Sequence, residues 1–76
     1  GPTLEDLAEE AERRETIDRL LARLPESQRR VIELRLAGLD GAEIAFALGR
    51  SRESVKMLQF RAARNLRSWR AALDET

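Results

Sequence analysis

Apolar residues recur every three or four positions through most of this chain, and the breaks in that rhythm fall at Pro25, Gly38, Gly41 and Gly49. The clearest stretch is the last. Val55, Leu58, Ala62, Leu66, Trp69 and Leu73 keep a 3–4 spacing over about five turns, which predicts one long helix capped by Ser51. Ahead of it, Asp40 and Glu43 form a capping pair that opens a short helix. Its buried side is Ile44, Ala45 and Leu48, and Gly49 closes it. Before that, Val31, Ile32, Leu34 and Leu36 supply the apolar side of another helix. Pro25 suits a place at or just before its first turn, where a missing N–H costs nothing, and Gly38 ends it.

The front of the chain is less regular. Thr3 and Asp6 form a capping pair, followed by Leu4, Leu7, Ala8 and Ala11 on one face. Ile17, Leu20, Leu21 and Leu24 share a second face, more than a third of a turn away from the first at ~100° per residue. Glu12-Arg13-Arg14-Glu15 lies between them. These are two segments, separate or joined in one helix with two docking surfaces. The expected fold is all-α: a small four- to five-helix domain whose helix-turn-helix ends in a long C-terminal recognition helix. Gly1-Pro2 matches a scar of tag cleavage, residues 3–14 an acidic helical, linker-like segment, and residues 15–73 the domain itself.

Composition narrows the chemistry. The 76 residues include no Cys, His or Tyr, which removes disulfides, thiolate metal sites and the usual general bases. No nucleophile–base set is present, and no apolar run approaches the ~20 residues that span a bilayer. A chain of this size has a thin core, with little room for an enclosed active site. The expectation is a binding module rather than an enzyme, without cofactor or metal. The formal charge is zero, with 14 basic and 14 acidic side chains, but the charge is laid out unevenly. Residues 1–24 carry seven acids and four Arg. From Arg50 to Arg70, seven bases face Glu53 alone. An acidic front and a basic back suit electrostatic steering toward a polyanion.

Residues 40–64 join these signals into one unit: a short helix, a Gly turn, and a Ser-capped helix with bases at its start. That is the layout of a helix-turn-helix, whose second helix enters the major groove by its N-terminal turns. Ala45 is small enough for the two helices to cross closely. The positive end of the last helix, with Arg50 and Arg52, faces phosphates. Arg52 and Lys56 are four apart and share a side. Arg can grip guanine O6 and N7, and Glu can accept from cytosine N4.

Leu24-Pro25-Glu26-Ser27-Gln28-Arg29-Arg30-Val31 resembles the LPxxxRxV opening of domain 4 of bacterial RNA polymerase sigma factors. Leu34-Arg35-Leu36, Glu43-Ile44-Ala45, Leu48-Gly49, Ser54-Val55-Lys56 and Arg61-Ala62-Ala63-Arg64-Asn65-Leu66-Arg67 are similar to its later landmarks, in order and at the right spacing. The short link between Leu36 and Asp40 resembles the extracytoplasmic-function group. The resemblance implies recognition of the −35 promoter element in double-stranded DNA, contact with the β flap of the RNA polymerase core, regulation by an anti-sigma factor, and a bacterial cytoplasmic setting.

Carried over by position, Arg52, Glu53 and Lys56 are base-reading and nearby contacts, with Ser51 at the helix start. Arg35, the amides near Gly41 and Ala42, and Arg61 correspond to phosphate contacts. Charge and position add Arg50 and Arg64. Two departures stand out: Leu36 where an aromatic is common, and Met57 with Phe60. On a regular helix Met57 and Phe60 point away from the core stripe, toward Glu53 and Arg64. They meet thymine methyls, form a patch for a protein partner, or are covered by residues 4–11. Trp69 lies on the core stripe and is expected to pack. Two other readings remain at this point: a sigma-like mimic that titrates an anti-sigma factor, and the DNA-binding domain of a response regulator. The intact Arg52-Glu53 argues against the first, and the LPESQRRV and RAARNLR motifs against the second.

Overall fold

A computed structural model describes residues 1–74. Four helices follow one another: α1 (Leu4–Ala22), α2 (Glu26–Leu36), α3 (Gly41–Leu48) and α4 (Arg52–Asp74), with no strand among the described residues. The polar signals at the helix starts act as the sequence suggests. At α1, Thr3 Oγ1 accepts from the Asp6 amide and Asp6 Oδ2 accepts from the Thr3 amide, each at 3.1 Å. At α3, Asp40 and Glu43 make the same reciprocal pair at 2.9 Å. Ser51 Oγ accepts from the Ser54 amide at the head of α4. Each pair satisfies amides that the first helical turn leaves without a partner.

The turn between α3 and α4 depends on Gly49, whose φ is 63°. A side chain there strains the backbone, whereas glycine does not. The left-handed step lets the Arg50 amide donate to the Ala45 carbonyl at 3.0 Å, closing α3 and redirecting the chain into α4.

Two apolar clusters hold the helices. In the first, Val31 of α2, Ile44 and Ala45 of α3, and Val55 and Leu58 of α4 are buried, with Leu34, Leu39 and Leu48 packed around them. Val31 and Ile44 are fully enclosed, and the small Ala45 lets α3 lie close on α4. In the second, Leu21 and Leu24 meet Ala62, flanked by Ile32, Leu66 and Trp69. The Arg23 guanidinium lies 4.4 Å from the centre of the Trp69 ring, so Trp69 packs on the core with one face under a cation.

The two front segments are joined in one uninterrupted helix, one of the two arrangements the sequence left open. Several apolar positions differ from expectation. Leu4, Leu7, Ala8 and Ala11 are all exposed, and this half of α1 contributes nothing to either core cluster. The radius of gyration, 14.5 Å, exceeds the about 11 Å of a compact chain this long. Ile17 is half-exposed, and only Leu21 and Leu24 of its group are buried. Leu36 is largely exposed: five residues after Val31, it has rotated about 140° from the buried side of α2. Leu73, in the last turn of α4, is also half-exposed, so the buried stripe of that helix fades toward its end.

Candidate nucleic-acid interface

The surface begins with the stiff crossing of α3 on α4. Because Val55, Leu58 and Ala62 turn one side of α4 inward, the opposite side is presented outward from its first turn. Arg52, Glu53 and Lys56 line an open cleft there, and they meet Arg35 from the end of α2 and Gly41 from the start of α3. Residues from three helices, 35 to 56, thus converge on one surface. Phe60 lines the same cleft, as do Gln59 and Ala63. Ala42 is exposed on the first turn of α3 beside Gly41. Ser51 is engaged in capping α4.

The remaining candidates surround that cleft. Met57 and Phe60 are half or more exposed and form a shallow hollow with Glu53 and Lys56. Residues 4–11 do not cover them. Arg61 and Arg64 are exposed farther along α4. At ~100° per residue, Arg61 lies about half a turn round from Arg52, and the ridge of Glu53, Met57, Phe60 and Arg64 runs between the two. A helix seated in a major groove presents such a ridge to the base edges and its two flanks to the phosphate walls. Arg50 is separate from the main cleft. Its guanidinium donates to Ser54 Oγ at 3.3 Å, and it borders a second cleft with Glu26, Ser27, Arg30 and Leu48.

The electrostatics match this layout. The ion pairs among the described residues are Arg14–Glu10 and Arg19–Glu15, exposed on α1, and Arg29–Glu33, half-exposed on α2. Among the described residues no acid lies within ion-pair distance of Arg52 or Lys56, so both keep their charge for a ligand. No group of acidic, His or Cys side chains among the described residues is arranged to hold a metal. No helix of the described residues is long and apolar enough to cross a membrane.

Two further residues were not anticipated, one in the cleft and one elsewhere on α3. Gln59 Oε1 accepts a hydrogen bond from Arg35 Nη2 at 2.8 Å, linking α4 to α2. Its place near the Arg52 side follows from helical rotation, but its partner, 24 residues away, does not. Phe46 is 91% exposed on α3. Ile44, Ala45 and Leu48 already define the buried side, so the same rotation would have placed Phe46 outward.

A compact three-helix unit whose Gly turn leads into a basic helix defines a DNA-binding helix-turn-helix protein. The family model for sigma-70, region 4 matches residues 14–66, more than half of the chain, and the chain belongs to that family. No curated protein and no solved structure matched. Region 4 is a DNA-binding, regulatory part of sigma factors and not a catalytic family; in sigma factors generally it recognises the −35 promoter element in transcription initiation. The match also favours the sigma assignment over the response-regulator one. It carries no subgroup, so the extracytoplasmic-function type rests on the short link after Leu36.

Proposed function

We propose that this chain reads the −35 element for an alternative sigma factor of the extracytoplasmic-function type, with residues 15–73 as the working unit. The convergence of Arg35, Gly41, Arg52 and Lys56 on one open surface supports this reading most directly. In it, Arg52, Glu53 and Lys56 address base edges. Arg35, the first amides of α3, and Arg61 hold phosphates on either side, and Arg50 and Arg64 reach flanking phosphates. The domain contacts the polymerase core through the β flap, in the bacterial cytoplasm. The apolar hollow at Met57 and Phe60 borders the reading surface, so a protein bound there competes with DNA. An anti-sigma factor fits that role.

The test is a fluorescence anisotropy titration of the chain on a random duplex at several salt concentrations. Three or four neutralised phosphates predict a slope of log K against log salt of roughly −3 to −4. A binding constant indifferent to salt would contradict the DNA reading.

A further inference from the structure

We infer that Gln59 is a positioning residue for DNA binding: it holds the Arg35 guanidinium in the orientation that grips a phosphate. The inference rests on the DNA reading above and adds to it a residue that no landmark of the family supplied. Gln59 follows Arg52 by seven residues, two turns along α4 on nearly the same side, and lines the same cleft. Its Oε1 accepts from Arg35 Nη2 at 2.8 Å, although Arg35 is otherwise an exposed side chain at the end of a helix. The guanidinium is thereby drawn toward the start of α3, with Nη2 4.0 Å from where a Gly41 side chain would begin.

An unrestrained Arg has many rotamers, and gripping a phosphate freezes them. A bond formed before DNA arrives removes part of that loss, as any preorganised contact does. One Nη2 hydrogen is spent on Gln59. Arg35 has five N–H donors, so four remain for a phosphate. Gln59 is uncharged, so it orients the guanidinium without neutralising it, which a carboxylate at the same place would do. The Gln59 amide nitrogen makes no hydrogen bond among the described residues and borders the cleft, so it is free to donate to the same phosphate.

A bond that merely joined α2 to α4 would affect stability and not the response to salt. The experiment is therefore a double-mutant cycle on the chain, with Gln59→Met, Arg35→Ala and the pair. Thermal melts are run beside salt-dependent anisotropy on matched and random duplexes. Methionine keeps the volume and the helix but removes the acceptor. Gln59→Met is expected to weaken both duplexes by roughly threefold to tenfold. It should also lower the salt slope measurably, toward the about 0.9 that one lost phosphate contact removes, because an Arg35 no longer held by Gln59 loses its grip on the phosphate. In the Arg35→Ala background it should add little. Gln59→Ala repeats the cycle without risk of overpacking. An unchanged slope, or losses that multiply in the double variant, overturns the positioning role while the unmutated chain still shows steep salt dependence. If the unmutated chain shows none, the DNA reading fails as well.

Discussion

At the scale of single residues, two positions show how local chemistry sets the surface. Gly49 takes a φ of 63° with open space where a side chain would begin, so nothing but backbone strain opposes a substitution. Gly49→Ala should therefore destabilise the chain by about 1–2 kcal/mol, and Gly49→Asn by less, because Asn tolerates the left-handed region. A pair of thermal melts checks the order; equal melting points for Gly49→Ala and the unmutated chain would show that the turn relaxes. Phe60 is the opposite case. Its ring is 60% exposed on the rim of the reading cleft. Phe60→Ala should leave the melt within about 0.5 kcal/mol of the unmutated chain, as for other surface changes. Against an anti-sigma partner seated on the ring, the same change should cost ~1.5–3 kcal/mol of binding. Calorimetry with that partner measures the second figure, and an unchanged affinity would remove the hollow from the partner surface.

At the scale of elements, the crossing of α3 on α4 carries the interface. Ala45 is 6% exposed in the cluster that joins them, so a longer side chain there presses on the crossing. Ala45→Leu should cost ~1–3 kcal/mol of stability through overpacking. It should also displace the start of α3 from Arg52 and lower affinity for every duplex. Retained stability with retained binding would mean that the crossing is looser than drawn. Much of this element level was legible in the sequence. Asp40 with Glu43, Gly49 and Ser51 mark the two helices because capping and left-handed turns depend on neighbours in the chain. The apolar stripe of α4 placed Met57 and Phe60 outward for the same reason. The exposure of Ile17 and Leu73 was not legible. Periodicity says which residues share a side, but not where the neighbouring helix ends. The Arg35–Gln59 bond escaped because it joins residues 24 apart through tertiary packing alone.

At the scale of the whole molecule, a neutral chain behaves as a dipole of functions. The front half of α1 is acidic and exposed, while the seven bases from Arg50 to Arg70 sit on or beside α4. Net charge therefore says little about partners here; the face presented to them says more. Promoter recognition requires that α4 reads bases and does not merely rest on the backbone. The most direct measurement compares Arg52→Ala with the unmutated chain on two duplexes, the best binder selected from a random pool and an unselected one. If α4 reads bases, Arg52→Ala loses ~1–3 kcal/mol on the selected duplex and much less on the other. Equal losses on both would contradict it, showing that Arg52 touches only phosphate.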